Sequence, residues 1–308
     1  MRIIFAGNGE FGVPTLGALL EAGQEIVAVY TQPDRWAGRG RTLTPTPIAR
    51  FAQGRAVRLI QTPNVNDETL PSADLMVVIA LGQKIAPAAA NHPRLGSVNL
   101  HASLLPKFRG AAPINWAILR GESETGNSII RLAPRMDAGA ILAQSRVSIG
   151  ETETAGELHD RLAVDGARLM LQTLDELQAG RAVEIPQDDG RATAAPKLRR
   201  ESARIDWAVA AIEIAREIRG LYPWPGCRVR LLDAVGLEIA RMTLVRARAA
   251  EGEGPRWRPG EITIAGQIAC GEGAVEVLEI QPDGKRPMSL SDYRRGNAWM
   301  PGMKLEAV

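Results

Sequence analysis

The sequence contains very little of the chemistry that usually marks a cofactor or metal protein. It has two cysteines, Cys227 and Cys270, which cannot build a disulfide framework and do not stand in a Cys/His spacing that binds zinc. Free, buried thiols of a cytoplasmic protein are the state expected for them. There are three histidines, His92, His101 and His159, which argues against a metal site built on imidazoles. No run of about 18 apolar residues occurs, so no membrane span is expected. The chain opens directly on Arg2-Ile3-Ile4-Phe5, which reads as a strand rather than a cleavable leader. A dominant charge is missing too. A net charge of +2 is too mild to argue nucleic-acid binding, so only a local cluster of basic residues could make that case. Internal repeats and low-complexity tracts are absent as well.

A length of 308 residues with 45% apolar content suits one large domain or two smaller ones. Residues 2–6 form an apolar strand. Residues 13–22 carry Leu16, Leu19 and Leu20 at helical spacing and close on Gly23, and residues 25–31 form a second strand. This βαβ start predicts a parallel sheet with right-handed crossovers. A short helix over 48–53 and a strand over 57–61 follow. Residues 73–81, ADLMVVIAL, are the most apolar strand and belong at the sheet centre. Helices are expected over 87–91 and 112–120, and strands over 127–132 and 141–149. The longest helix, 154–179, shows leucines 158, 162, 169, 171, 174 and 177 at roughly helical intervals. His159 on this helix has no evident partner. The fold class is therefore α/β, with a doubly wound, mostly parallel sheet.

The character changes over residues 180–204, which hold Pro186, Asp188-Asp189-Gly190, Lys197, Arg199 and Arg200 and read as a linker with a basic end. A helix over 208–220 is then stopped by Tyr222-Pro223-Trp224-Pro225-Gly226. Short strands at 228–232, 237–245, 260–264, 267–270 and 274–281, with a closing helix at 289–295, suggest a small OB-like β-barrel. The expected division is a catalytic domain over 1–185, a linker over 186–204 and an OB-like domain over 205–308.

Three stretches carry candidate chemistry. The first is Gly7-Asn8-Gly9-Glu10-Phe11-Gly12, which fits the dinucleotide fingerprint between a strand and a helix. It makes an NAD-dependent oxidoreductase the rival from another enzyme class. Against it, Asp34 follows Gln32-Pro33 and so lies past the strand tip, and no hydride-transfer constellation appears later. The alternative is a tight strand–helix turn that needs glycine for steric reasons. The second stretch is the loop 34–47, in which Arg35, Arg39 and Arg41 face one acid, Asp34. It is either a mobile solvated loop or a finger that neutralises phosphates.

The third stretch, residues 99–110, reads NLHASLLPKFRG. Asn99 and His101 sit two apart on a strand end, so their side chains share a face. A carboxamide donor beside an imidazole suits stabilisation of a developing oxyanion and proton transfer. The bland reading is a strand end, a hydrophobic turn and a solvated basic pair, Lys107 and Arg109. Asp137, in Asp137-Ala138-Gly139, is by itself equally a turn residue or a site residue.

This third stretch resembles the signature of the folate-dependent formyltransferases: Asn-x-His-x-Ser-Leu-Leu-Pro, then Arg-Gly and Ala-Pro-Ile. Flanking text at FAGNGEFG, TQPDRWAGRGR, ARIDW and YPWPG extends the likeness nearly end to end. It points to the branch whose acceptor is initiator methionyl-tRNA. The resemblance implies a formyltransferase fold with 10-formyltetrahydrofolate as co-substrate and no metal. It implies Asn99, His101 and Asp137 as catalytic residues, and Ser103, Leu104, Leu105 and Pro106 as the wall of the folate pocket. Arg39 and Arg41 would reach the tRNA acceptor end, and Lys197 and Arg200 would lie along the tRNA. Trp36 stands where the family often has proline, and Leu81 where it usually has an aromatic. A formyltransferase acting on an amino sugar nucleotide or another small amine, and a non-enzymatic tRNA-binding protein on the same fold, are the alternatives. A cytoplasmic monomer without membrane association is expected.

Overall fold

A computed structural model of the chain describes residues 1–37, 42–252 and 256–308. The chain forms two compact units, each assembled from separated segments. The first holds Met1–Gly110, Thr125–Val147 and His159–Ala195, and the second holds Ala111–Glu124, Ser148–Leu158 and Pro196–Val308.

Elements are numbered along the chain. The first unit starts with β1 (Arg2–Gly7), α1 (Val13–Glu21) and β2 (Glu25–Thr31). A hairpin of β3 (Arg35–Ala37) and β4 (Thr42–Thr44) follows, then α2 (Pro47–Gln53), β5 (Leu59–Gln61), β6 (Leu75–Ile79), α3 (Pro87–Ala90) and β7 (Ser97–His101). Next come β8 (Arg109–Gly110), α4 (Pro113–Leu119, in the second unit), β9 (Glu124–Arg131), β10 (Ile141–Ser148), α5 (Ala155–Gln178) and β11 (Ala194–Ala195).

The main sheet has seven strands in the order β10-β9-β7-β6-β1-β2-β5. β5, β2, β1, β6 and β7 pair in parallel, and β9 runs antiparallel to β7. β6 is the fourth of the seven and all its residues are buried, the burial its apolar run predicted. Thr46 caps α2 by accepting from the Ala49 amide at 3.0 Å, with Pro47 supplying the first helical residue. α5 opens on a capping box: Thr154 Oγ1 accepts from the Glu157 amide, and Glu157 Oε2 accepts from the Thr154 amide at 2.9 Å.

The glycine turn after β1 is tightly packed: a Cβ built on Gly7 meets the Ile79 carbonyl oxygen at 2.7 Å. Asn8 Oδ1 accepts from Thr31 Oγ1 at 2.9 Å and from the Gln32 amide at 2.8 Å, while its Nδ2 donates to the Leu81 carbonyl. One side chain thus ties together the chain leaving β1, β2 and β6. Asp34 lies beyond β2 and accepts from Gln61 Nε2 at 2.5 Å.

The 34–47 segment, expected as a loop, carries an antiparallel pair at its stem, with Trp36 opposite Leu43. Trp36 is 71% exposed and Leu43 55%. Arg39 and Arg41 lie outside the described residues. Segment 185–195, expected as tether, also carries structure: Ile185 bridges Ile141, and β11 pairs in parallel with β8.

The second unit adds α6 (Ala211–Gly220), β12 (Cys227–Leu232), β13 (Glu238–Ala250), β14 (Ile268–Ala269), β15 (Ala274–Pro282), β16 (Met288–Ser289), α7 (Leu290–Arg294) and β17 (Lys304–Ala307). Its strands run β14-β15-β13-β12-β17, with antiparallel pairing throughout and β16 on β15. Residues 260–264, expected as a full strand, form isolated bridges instead. Glu261 bridges Lys304 of β17, and Ile262 bridges Ile268 of β14. These bridges join the two edges of the sheet and bring it close to a closed barrel. Its core gathers Ile214 and Ile218 of α6 with Val229, Leu244, Val275, Ile280 and Leu305. Cys227 is buried in this core and Cys270 half-buried, and both thiols are free.

Candidate functional site

β7 places Asn99 and His101 on one face by strand alternation. Asn99 pairs with Val78 of β6 on one side and Ile130 of β9 on the other, so the two residues sit inside the sheet near the carboxyl end of β6. That is where open α/β sheets hold ligands. His101 is 7% exposed, whereas Asn99 is half-buried. Among the described residues the Asn99 carboxamide makes no side-chain hydrogen bond, so its two donors are available.

His101 is held from the turn that follows it. Its Nε2–H donates to the Phe108 carbonyl at 2.9 Å, which leaves Nδ1 as the open ring nitrogen of the neutral form. Nδ1 lies 3.7 Å from Asp137 Oδ2. The folded chain thus brings together Asn99, His101 and Asp137. The Asp137 carboxylate also accepts from the Gly110 amide at 2.9 Å. Asp137 adopts a left-handed backbone, with φ of 53°.

The Ser-Leu-Leu-Pro turn is pinned by its own polar groups. Ser103 Oγ donates to the Lys107 carbonyl at 2.7 Å, and Ser128 Oγ donates to the Ser103 carbonyl at 2.6 Å. The Leu105 amide donates to Ser128 Oγ at 3.1 Å. Leu105 packs with Ile130 and Ile141, so it supports the turn from within. Leu104 and Pro106 are partly exposed and make the accessible apolar surface of the turn. Leu81 is buried in the cluster that holds Tyr30, Val78 and Met76.

Arg109 departs from the solvated-pair reading. Its side chain is 12% exposed, with Nη1 2.9 Å from Asp189 Oδ1. Its Nε and Nη2 donate to Gln187 Oε1 at 3.0 and 2.6 Å. Arg135 also pairs with Asp189, whose carboxyl is held below its ordinary pKa by hydrogen bonds from Arg109 and then Arg135. Gln187 was not singled out from sequence: its partners lie 48 to 78 residues away and leave no local pattern.

Lys197 and Arg200 are exposed residues of the second unit, beside the buried Leu198 that anchors the segment in that unit's core. His159 has a partner after all: its Nδ1 lies 2.9 Å from the Asp160 carboxylate, and its ring meets Phe11 edge-on at 5.3 Å. His92 hydrogen-bonds the Pro71 carbonyl at 3.1 Å. Neither histidine is near the cluster in sequence or bonded to it.

The family model described as formyl transferase matches residues 1–174, and that for the formyl transferase C-terminal domain matches residues 197–298. Methionyl-tRNA formyltransferase of Xanthomonas euvesicatoria pv. vesicatoria is 42% identical over 322 aligned positions, covering 99% of this chain and 100% of that protein. The chain belongs to the methionyl-tRNA formyltransferase family. The namesake from Methylococcus capsulatus is 41% identical over 309 positions, covering 97% of each chain. Solved structures share the fold at lower identity. A Helicobacter canadensis N-formyltransferase, solved with folinic acid and dTDP-3-aminofucose, superposes with a TM-score of 0.68 at 16% identity, covering 92% of this chain and 99% of its own. The sugar 3N-formyl transferase WlaRD, solved with dTDP and 5-N-formyl-THF, gives 0.67 at 17% identity over 93% and 99%.

Proposed function

We propose that this chain transfers the formyl group of 10-formyltetrahydrofolate to the amino group of methionine esterified to initiator tRNA. The observation that carries the reading is the free carboxamide of Asn99 beside a buried imidazole and a carboxylate at the carboxyl end of a central strand. Formyl transfer from nitrogen to nitrogen passes through a tetrahedral centre with charge on oxygen. Asn99 Nδ2–H points its donor at that oxygen. His101, fixed through Nε2, presents Nδ1 to the same atom as a second donor when protonated. Asp137 steadies the charged ring from 3.7 Å and accepts the proton of the attacking amine, directly or through water. Asp137 then returns that proton, directly or through water, to the departing folate nitrogen, which leaves the carboxylate as it began. No covalent enzyme intermediate is needed, because holding amine and formyl donor together supplies the proximity.

Leu104 and Pro106 line the folate ring's apolar side, with Ser103 and Leu105 shaping the turn beneath. Arg39 and Arg41 contact the acceptor end of the tRNA, and Lys197 and Arg200 contact its backbone.

The test mixes the protein with 10-formyltetrahydrofolate and either initiator or elongator methionyl-tRNA, with an amino sugar nucleotide as third acceptor. Formylmethionine should accumulate on the initiator species. Preferential formylation of the amino sugar would overturn the acceptor assignment. Arg41→Ala should weaken initiator tRNA use while folate binding is unchanged, and an equal loss of both would contradict the finger's role.

A further inference from the structure

Asp137 holds a left-handed backbone conformation that few non-glycine residues adopt. Such a residue persists only where its surroundings over-determine it. One side chain bonds the backbone of its turn twice. Gln187 Nε2 donates to the Asp137 carbonyl at 2.8 Å and to the Gly139 carbonyl at 2.7 Å. It therefore clamps the turn on both sides of Asp137 Cα. Its Oε1 accepts both Arg109 bonds, at 3.0 and 2.6 Å, and Arg109 is anchored in turn on Asp189. All the amide's capacity is used, two donors and two acceptor sites, and only one amide orientation allows that. A glutamate could satisfy Arg109 but would offer nothing to the two carbonyls.

The ring closes on the site itself. Arg109 precedes Gly110, whose amide holds the Asp137 carboxylate at 2.9 Å, and follows Phe108, whose carbonyl holds His101 at 2.9 Å. The Phe108 amide donates to Thr193 Oγ1 at 2.9 Å and the Arg109 amide to the Thr193 carbonyl at 2.8 Å. The segment 187–195 thus fixes, from one side, the residues that aim both the imidazole and the carboxylate.

We propose that Gln187 is a positioning residue for formyl transfer, acting through Asp137 by locking its turn against Arg109. The proposal rests on the reading of Asp137 as the proton acceptor. A misplacement near 1 Å can cost about 100-fold in rate. Gln187→Ala and Gln187→Glu should therefore each lower kcat about 10- to 100-fold, with KM for both substrates within about twofold.

The test is a mutant cycle in steady-state formyl transfer to methionyl-tRNA, with circular dichroism confirming the fold. In an Asp137→Asn background, Gln187→Ala should cost less than about threefold, because its effect passes through a group already removed. Independent, multiplicative losses would overturn the proposal, as would Gln187→Glu at the wild-type rate. Should Gln187→Ala not fold, Gln187→Glu takes its place in the cycle, since it keeps the Arg109 contact. An inactive Asp137→Asn with Gln187→Ala fully active overturns this proposal alone. An Asp137→Asn enzyme at the wild-type rate removes the reading of Asp137 and this proposal with it.

Discussion

Gly110→Ala is the sharpest perturbation the first unit offers. Gly110 has φ of 128°, a region that side-chain-bearing residues rarely enter, and a Cβ built there meets the Ala195 carbonyl oxygen at 2.6 Å. Ordinary contact begins at 3.4 Å, so β8 and β11 must separate by about 0.8 Å. The backbone strain costs about 1–3 kcal/mol. Loosening the Arg109–Thr193 and Phe108–Thr193 hydrogen bonds adds roughly 0.5–1.5 kcal/mol each. The expected loss of stability is therefore about 2–6 kcal/mol, against total stabilities of roughly 5–15 kcal/mol for typical domains. The variant should fold yet unfold at lower denaturant. Its rate should fall further than stability alone explains, because the displaced Gly110 amide is the one that holds the Asp137 carboxylate. Urea denaturation followed by circular dichroism, with single-turnover formyl transfer in buffer, measures both. Gly180→Ala is the control: φ is 68° with nothing within 4 Å of a new Cβ, so about 1–2 kcal/mol of strain and no rate change are expected. A Gly110→Ala protein within 0.5 kcal/mol and twofold of wild type, on the order of measurement error, would refute the packing argument.

Other perturbations test other parts. Arg246 hydrogen-bonds Glu157 and, with Thr154's cap bonds, holds its carboxyl at about 2 in place of 4.5. A depressed carboxylate stabilises above its unfolded pKa and loses that contribution as pH falls toward the folded value. Glu157→Gln should therefore flatten the acid dependence of second-unit stability between pH 4.5 and about 2. Because Glu157 is 48% exposed, solvent screening keeps the effect within about 1 kcal/mol in acid titration monitored by fluorescence. Burial pushes the Cys227 thiol well up and Cys270 up to about 11, so neither should react with an aromatic disulfide at pH 8 until the chain is unfolded; rapid native labelling would contradict that packing. Asn99→Ala should lower kcat roughly 100- to 1,000-fold with substrate affinities retained, the range for losing one oxyanion donor. Unchanged turnover would leave the oxyanion without its assigned partner.

The sheet was legible because its signals are local. β6 is a continuous apolar run and β1-α1-β2 alternates on a short period, so both the elements and their parallel pairing followed from spacing. Asn99 and His101 were legible for the same reason, two residues apart on one strand. The barrel was only partly so. β17 is four residues, Lys304–Ala307, too short to show alternation, and residues 260–264 pair through single bridges that have no periodic signature. Arg109 looked solvated because its partners, Gln187 and Asp189, lie across a long helix, inside a stretch whose Pro, Asp and Gly content resembles a tether. What fixed them is long-range geometry: an arginine fork, a primary amide and two carbonyls that only folding brings within hydrogen-bond reach.

The most direct measurement is single-turnover formyl transfer by Asp137→Asn, with both substrates saturating and their binding checked separately. The expected rate is at least about 100-fold below wild type, with folate and tRNA affinities unchanged, since general base assistance is worth roughly that much. A rate within twofold of wild type would show that the carboxylate beside His101 takes no part in the chemistry.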